Sequence, residues 1–506
     1  MARAVFVLTV LSFPGPLLGH IGSSTVFFEG SAGPYPVRVV VRPPGVIPGL
    51  AEISVRVQGE EGLRVSVLPV HAGAGLEGAP PADVARPVSG ERDLFTAELW
   101  LMASGAYSVF VKVEGARGAG TAIVPLNAVA TRRLEMDLGL GAILGGLGLL
   151  LFLGLLAIAR AAAREGTLAP GTEPDARRNR MSWGVAGVAA AILIGGLYGG
   201  RVWWKSVDSE FRNDRLFSPI PVDARARIEG AQRILGIAVQ WGVRRRPSPF
   251  IPDHGKLMHA FLVREPTLDG FAHIHPIRRE NDRFEVPVPP LPGGTYRLYA
   301  DVTLENGLAE TLTTELMLPE PPAGDLQAKP YLEPDPDDSW AVSKPFPEAQ
   351  IVPEGSGAGE GFAIHWTLDA PPVEGREVQL RFSVSGPGGK PAVLEPYMGM
   401  LGHAAVRRDD GSVFAHLHPV GTISMASQEL FARKAKGAAP SSEGAAATGD
   451  PHAGHAMAHP DPTKPPSEVT FPFEFPRAGH YRIWVQAKSA GKVLTGVFDV
   501  DVLGGA

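Results

Sequence analysis

The chain of 506 residues contains no cysteine. Disulfides, zinc–thiolate sites and the blue-copper centre, which needs a thiolate ligand, are therefore excluded. Basic residues are not in excess either, because 47 Lys and Arg stand against 53 Asp and Glu and the net charge is -6. This balance argues against nucleic acid as the main partner.

Familiar catalytic patterns are also missing from the sequence. We find no nucleophile–base pair, no phosphate-binding loop and no pair of carboxylates at a motif spacing. The sequence therefore predicts no enzyme. A three-histidine metal site with an open position would still permit copper redox chemistry or metal-assisted hydrolysis.

Turn-forming residues are abundant, with 61 Gly and 48 Pro, yet 44% of the chain is hydrophobic. This composition favours short strands joined by many turns over disorder. We expect a mainly β protein with three immunoglobulin-like antiparallel β-sandwich domains and two transmembrane helices between the first and the second. The predicted order is a signal peptide at 1–19, an N-terminal β domain at 20–132, a transmembrane helix at 138–159, a cytoplasmic loop at 160–180, a second transmembrane helix at 181–200, a linker at 205–223, a first histidine repeat at 224–320, a linker at 321–359 and a second histidine repeat at 360–504 with a disordered insertion at 427–466.

The two apolar stretches predict a membrane anchor. Residues 138–159 carry no charge over 22 positions, enough at about 1.5 Å per residue to cross the hydrocarbon core. The segment between the stretches is basic, with Arg160, Arg164, Arg177, Arg178 and Arg180. By the positive-inside rule this segment lies in the cytoplasm, so both large flanks lie outside a bacterial cytoplasmic membrane. An N-terminal signal segment that ends near Gly19 agrees with that orientation.

The motif F-A-H-x-H-P occurs twice, at 271–276 and 414–419, and a further histidine precedes each copy. The first trio is His259, His273 and His275, and the second trio is His403, His416 and His418. Histidines at i and i+2 of a strand point to the same face. One such pair is usually a solvated surface, whereas two matching trios favour a metal site.

The second copy predicts its own register. Asp410 and Gly411 are a strong hairpin turn, and a two-residue turn there pairs positions that sum to 821. His403 then lies opposite His418, with His416 on the same face, so three imidazoles can reach one ion. Pairing His259 with His275 makes the equivalent hairpin in the first copy. We expect each trio at a sheet edge or rim, partly exposed, with its ring nitrogens within about 3–5 Å.

Further candidate ligands accompany the trios. The position five residues before the leading histidine is His254 in the first copy and Met398 in the second, and both side chains bind copper. We expect each to join the trio of its own repeat, with Asp253 or a backbone carbonyl orienting the rings. The insertion carries a short tract with His452, His455, Met457 and His459, which would capture a metal loosely or simply be a soluble loop.

The G-H-I-G-S-S start at 19–24, the run at 33–39 and the two F-A-H-x-H-P motifs resemble exported bacterial proteins of the YtkA-like class. That resemblance implies immunoglobulin-like β domains that bind metal. A mature terminus at His20 is similar to the CopC-type copper-resistance proteins, where the terminal amine and imidazole together chelate copper(II).

These observations predict a membrane-anchored, extracytoplasmic copper-binding protein for metal tolerance or delivery, with zinc as the other candidate ion and a membrane protein as the partner in metal transfer. The alternative is a non-catalytic sandwich scaffold that binds a protein or polysaccharide without metal.

Overall fold

A computed structural model describes residues 25–59, 62–169, 171–242, 247–280, 282–322, 330–346, 361–437 and 466–505. The described chain is mainly β, as predicted. It forms two compact units: one is the helical segment 130–216, and the other holds all the β-sheets, from both sides of that segment. The predicted signal peptide and His20 lie outside the described residues.

The N-terminal strands form two antiparallel sheets, in the orders β1-β2-β3-β7-β6 and β5-β4-β8-β9. The alternation of buried and partly exposed side chains along the chain explains why these segments form strands. In one of them Val37, Val39 and Val41 are buried, whereas Arg38 is partly exposed. The strands are β1 (Val26–Ala32), β2 (Tyr35–Arg42), β3 (Gly49–Val57), β4 (Arg64–His71), β5 (Asp83–Val84), β6 (Arg86–Pro87), β7 (Leu94–Leu101), β8 (Gly105–Gly115) and β9 (Gly118–Ala128).

Two helices follow, α1 (Leu138–Glu165) and α2 (Ala176–Asp214), and both are long and apolar enough to span a membrane. Each begins at an aspartate whose side chain accepts a hydrogen bond from the first turn, Asp137 from the Leu140 amide and Asp175 from the Arg178 amide. The helices extend beyond the predicted apolar spans. The second helix runs through most of the segment that we expected to be a linker at 205–223, because its polar last turns continue the helix past the apolar part.

The described residues of the first histidine repeat and of the segments that flank it form ten strands: β10 (Val222–Glu229), β11 (Gln232–Val239), β12 (Phe250–Ile251), β13 (His259–Arg264), β14 (Gly270–Ile274), β15 (Ile277–Glu280), β16 (Arg283–Val288), β17 (Gly294–Leu304), β18 (Ala309–Leu318) and β19 (Ser339–Val342). They form a sheet in the order β10-β11-β16-β15 and a sheet in the order β12-β17-β13-β14-β19, with β18 paired to β17. Strand β19 comes from the segment 321–359 that was expected to be a linker, and it pairs with β14 because its Ser339 and Ala341 are buried there.

The second histidine repeat contains β20 (Ala363–Thr367), β21 (Glu377–Ser385), a 3-10 turn (Pro387–Gly389), β22 (His403–Arg408), β23 (Phe414–Leu417), α3 (Met425–Ala435), β24 (Glu468–Glu474), β25 (Gly479–Ser489) and β26 (Lys492–Val502). Its sheets have the orders β20-β21-β24 and β23-β22-β25-β26. Helix α3 corrects the expectation of disorder across 427–466. Ser424 caps it by accepting from the Ser427 amide, and Leu430 and Phe431 are buried. Residues 438–465 lie outside the described ranges.

The strands that carry the histidines are buried on both faces. In β13, Ala260 and Leu262 pack into the core of their own repeat. The alternate residues Phe261 and Val263 pack instead in a cluster with Phe414 and Trp484 of the second repeat. The histidine-bearing sheets of the two repeats therefore pack face to face.

This packing is reciprocal. Phe271 stacks on Trp484 with ring centroids 4.6 Å apart, and Phe414 stacks on Tyr299 at 3.9 Å. In the sequence repeat, Phe271 corresponds to Phe414 and Tyr299 to Trp484. Each repeat thus presents the same surface to the other, as in an isologous dimer interface.

The N-terminal sheets also contact the second repeat. The Glu29 amide donates to the Val420 carbonyl at 2.8 Å, and the Thr422 amide donates to the Phe27 carbonyl at 3.1 Å. Strand β1 therefore holds the loop that follows the second F-A-H-x-H-P motif.

Candidate metal centre

The predicted hairpin registers are confirmed. Ala404 pairs with Leu417 and Ala405 with His416, so paired positions sum to 821. In the first repeat, Ala260 pairs with Ile274, which is the register that sets His259 against His275. Candidate ligand nitrogens of each trio lie within 4.8 Å of one another, inside the expected range.

The expectation of a partly exposed rim is wrong. His273 and His403 are 0% exposed, His259 and His275 are 3% exposed, and the remaining rings are nearly as buried. Their face of each sheet is covered by the other repeat. Between the two trios, His273 lies near His416, at a centroid distance of 5.4 Å, and His259 lies near His416, at 5.5 Å. Six imidazoles thus form one buried cluster.

In the first trio, the ring nitrogen of each histidine that faces away from the other two rings, here called the outward nitrogen, has a hydrogen-bond acceptor. Nε2 of His259 lies 3.1 Å from the main-chain oxygen of Asp253, and Nδ1 of His273 lies 2.9 Å from Oε1 of Gln486. Nδ1 of His275 lies 2.9 Å from Oδ1 of Asp338. An acceptor requires the ring nitrogen to carry the proton, so these partners set the tautomer of each neutral ring.

The inward nitrogens of the first trio, which face the other rings, then carry no proton and present lone pairs. Nδ1 of His259 faces Nε2 of His273 across 3.2 Å. Nε2 of His275 is buried and has no hydrogen-bond partner within the described chain. Bonds of about 2 Å to one ion at tetrahedral or trigonal angles would separate nitrogens by about 3.3–3.5 Å. Two facing lone pairs and one orphaned nitrogen are the donor set that a cation would satisfy.

The second trio repeats this arrangement. Outward nitrogens lie 3.2 Å from the Tyr397 carbonyl for His403, 3.2 Å from Oδ2 of Asp301 for His416 and 3.1 Å from the Ile423 carbonyl for His418. Nδ1 of His403 faces Nε2 of His416 across 3.1 Å. Nε2 of His418 is buried without a hydrogen-bond partner among the described residues.

Burial keeps these rings neutral. Desolvation lowers the pKa of all six, and the neighbouring histidines lower the pKa of His273, His275, His403 and His416 further. The pKa of His418 falls to about 3, by burial first and then by the proximity of His254. Neutral imidazole is the form that binds metal.

Two partly buried carboxylates lie behind the rings. Burial raises the pKa of Asp301, which meets His416, and that of Asp338, which meets His275, to about 7 in each case. A cation in the cluster would favour their ionised form, because an opposite charge nearby stabilises a carboxylate.

The placement of His254 corrects its predicted partners. Its ring centroid lies 5.2 Å from that of His418 and 5.5 Å from that of His403, but 6.2 Å from that of His259. It therefore lies nearer to the trio of the other repeat. Met398 is 8% exposed and occupies the equivalent loop position.

Five further sequence candidates, His20, His452, His455, Met457 and His459, lie outside the described residues. His365, expected to be structural, lies 2.9 Å from the Ser385 hydroxyl through Nε2. Half-exposed His480 pairs with Asp501.

Sequence reasoning identified Asp253 as an orienting residue but missed Asp301, Gln486 and Asp338. The internal repeat contained a signal for two of them. Asp301 and Gln486 occupy equivalent positions, each two residues beyond the aromatic residue of the interface, and each meets the middle histidine of the opposite repeat. Asp338 comes from the presumed linker and has no counterpart in that alignment.

Comparison with known proteins adds one family. Residues 359–441 and 445–504 match a family described as a domain of unknown function (DUF8832), which covers the second histidine repeat. No curated protein matches the chain.

Solved structures offer only distant likenesses. Dimeric latent PorU from Porphyromonas gingivalis is 9% identical, with 95% of this chain and 34% of PorU covered and a TM-score of 0.14. This chain thus spans about a third of PorU. A four-domain ectodomain fragment of ICAM-5 is 10% identical, with 93% of this chain and 83% of the fragment covered and a TM-score of 0.15. Scores this low carry no functional argument.

Proposed function

We propose that this protein binds copper through its two histidine trios and serves copper tolerance or delivery outside the cytoplasmic membrane of a bacterium. The β unit would consist of three immunoglobulin-like sandwiches, anchored by α1 and α2 with the segment between them in the cytoplasm. Metal transfer would involve a partner membrane protein. The YtkA-like and CopC-like resemblance of the sequence agrees with this proposal.

The observation that carries the proposal is the placement of hydrogen-bond acceptors around the six rings. In both trios each outward nitrogen meets an acceptor, and each inward nitrogen is left as a lone pair. A buried polar atom without a partner costs about 1–3 kcal/mol. A bound cation would remove that penalty, and outer acceptors of this kind orient histidine ligands in metal sites.

Copper is favoured over zinc by the chemistry of the ligand set. All six inward donors are imidazole nitrogens, which suit copper and zinc alike. The equivalent loop positions, five residues before the leading histidine of each trio, hold one more imidazole, His254, and one thioether, Met398. Thioether sulfur selects copper(I) rather than zinc.

The test is metal content. Full-length protein in detergent, loaded with copper or zinc and then desalted, should retain about two ions of copper per chain and should keep copper in competition with zinc. His418→Ala should lose one ion, while the matched control His365→Ala, outside the cluster, should lose none. Retention of less than one ion by the native protein would reject the proposal and favour the metal-free scaffold.

A further inference from the structure

We infer that the two repeats exchange a metal ligand: His254 of the first repeat completes the site of His403, His416 and His418, and Met398 of the second repeat completes the site of His259, His273 and His275. This inference rests on the proposed metal binding. It reverses the assignment that sequence proximity suggests, and it makes each site depend on both repeats.

The ring distances support the first half of the exchange. His254 lies beside both His403 and His418, at centroid distances of 5.5 and 5.2 Å, and the three rings form a nearly equilateral triangle. The rings of the second trio lie 4.5–5.3 Å from one another, so the distances from His254 to two of them exceed the spacing within the trio by only a few tenths of an ångström. Its side chain is 1% exposed, which places a polar ring inside the cluster instead of at the surface. Imidazoles that share one ion through bonds of about 2 Å have this spacing.

The backbone around His254 is held in an unfavourable conformation. His254 has φ of 50°, a left-handed value that few residues other than glycine adopt. The next residue, Gly255, has φ of 79° and closes a tight turn in which Asp253 and Lys256 exchange two backbone hydrogen bonds of 2.9 Å. Such conformations cost about 1–3 kcal/mol and persist where the surrounding structure requires them. In this turn the His254 ring lies closer to His403 and His418 of the other repeat than to His259 of its own.

The second repeat builds the same turn. Met398 has φ of 50° and Gly399 has φ of 78°. Tyr397 and Met400 exchange the two backbone hydrogen bonds of the turn, at 2.6 and 3.1 Å. A local sequence preference does not explain the match, because His and Met share no preference for the left-handed region.

The reciprocal packing then supplies the second half. Two kinds of contact across the interface occur once in each direction. The Phe271–Trp484 stack corresponds to the Phe414–Tyr299 stack, and the His273–Gln486 contact corresponds to the His416–Asp301 contact. Because the two repeats are equivalent across this interface, the position of His254 beside the second trio implies the position of Met398 beside the first. The two sites therefore differ in one donor, with nitrogen in the second and sulfur in the first.

The experiment isolates each site before removing the exchanged ligand. His273→Ala disables the first trio and leaves the second, and His416→Ala does the reverse. Each variant should bind one copper(I) ion, whose affinity is measured by competition with a chromophoric chelator. Adding His254→Leu should weaken binding at least about tenfold in the His273→Ala protein. It should change binding less than about twofold in the His416→Ala protein.

The reverse pattern would assign His254 to its own repeat and overturn the inference, and so would no effect in either background. His254→Met provides a readout that does not depend on a loss, since Met occupies the same turn at 398. X-ray absorption of the His273→Ala/His254→Met protein should show a new copper–sulfur distance of about 2.3 Å, similar to known metal–sulfur bonds. The signal should be absent when Leu replaces Met at 254, and its absence from both would overturn the exchange. No copper in the native protein would instead reject the proposed function.

Discussion

Copper should stabilise the native protein through His418, and the size of the effect follows from mass action. Free copper at 100 times its dissociation constant adds about 2.7 kcal/mol per site if only the folded state binds. Two sites add about 5.4 kcal/mol. At roughly 2 °C per kcal/mol, the lower end for large domains, the metal should raise the melting temperature by about 10 °C in the native protein. His418→Ala should show about half of that shift.

The metal-free variant should lose only the stability that the cavity of the missing buried ring costs, and its reduced response to copper separates a ligand from a structural residue. His418→Ala loses the hydrogen bond to the Ile423 carbonyl, worth about 1 kcal/mol, but also removes an orphaned buried nitrogen that costs about 1–3 kcal/mol. These terms oppose each other. A purely structural histidine would predict the opposite result, a loss of stability that copper does not alter.

Differential scanning calorimetry with and without copper measures both quantities on the same preparation. His365→Ala is the matched control, since its ring bonds to Ser385 away from the cluster. It should keep the full copper shift. If copper raises the melting temperature of His418→Ala as much as that of the native protein, the argument from the inward lone pairs is refuted.

Three further predictions concern pH, the metal pair and the membrane. Because burial depresses the pKa of His418 to about 3 from an unfolded value near 6.5, its contribution to stability is complete above pH 6.5 and is lost as the pH falls towards 3. Burial raises the pKa of Asp301 to about 7, so its contribution to stability is lost as the pH rises through 7. The free energy of unfolding of the metal-free protein should therefore peak between these two limits. The rings of His273 and His416, one from each trio, are 5.4 Å apart, and a bound ion lies about 3 Å from the centre of its ring, so two copper(II) ions lie at most about 12 Å from each other. Electron paramagnetic resonance should therefore show dipolar broadening in the native protein, and His416→Ala should abolish it. Protease added to intact spheroplasts should digest residues 224–504 and spare the segment 160–180, and protection of 224–504 would reverse the proposed topology.

The hairpins of the two trios could be predicted because their determinants are local. Asp410 and Gly411 lie in the short loop that joins the two strands in the predicted register, although Arg408 bonds to Val413 across four residues instead of two. The i, i+2 spacing fixes the shared face. The burial of that face could not be deduced from the histidines themselves. It was visible in their neighbours, since Ala260, Phe261, Leu262 and Val263 leave no polar face on β13. Continuous apolar strands are typical of sheets covered on both sides.

The helix α3 was missed for a different reason. The segment after Met425 was judged by its average composition, and the long Ala/Gly/Ser-rich part concealed a short capped helix at its start. Ser424 at the N-cap and basic residues in the last turn, Arg433 and Lys434, are helix boundary signals. These boundary residues distinguish the helix from the Ala/Gly/Ser-rich segment that follows it.

The protonation pattern of the centre could not be predicted from either hairpin, because the acceptors that set it come from elsewhere. His273 depends on Gln486 of the second repeat, and His416 depends on Asp301 of the first. Without those partners each middle ring could carry its proton on the inward nitrogen, which would block the metal. The hairpins supply the donors, but only the packed pair of repeats turns their lone pairs inward. The proposed metal centre therefore depends on the duplication and not on either F-A-H-x-H-P motif alone.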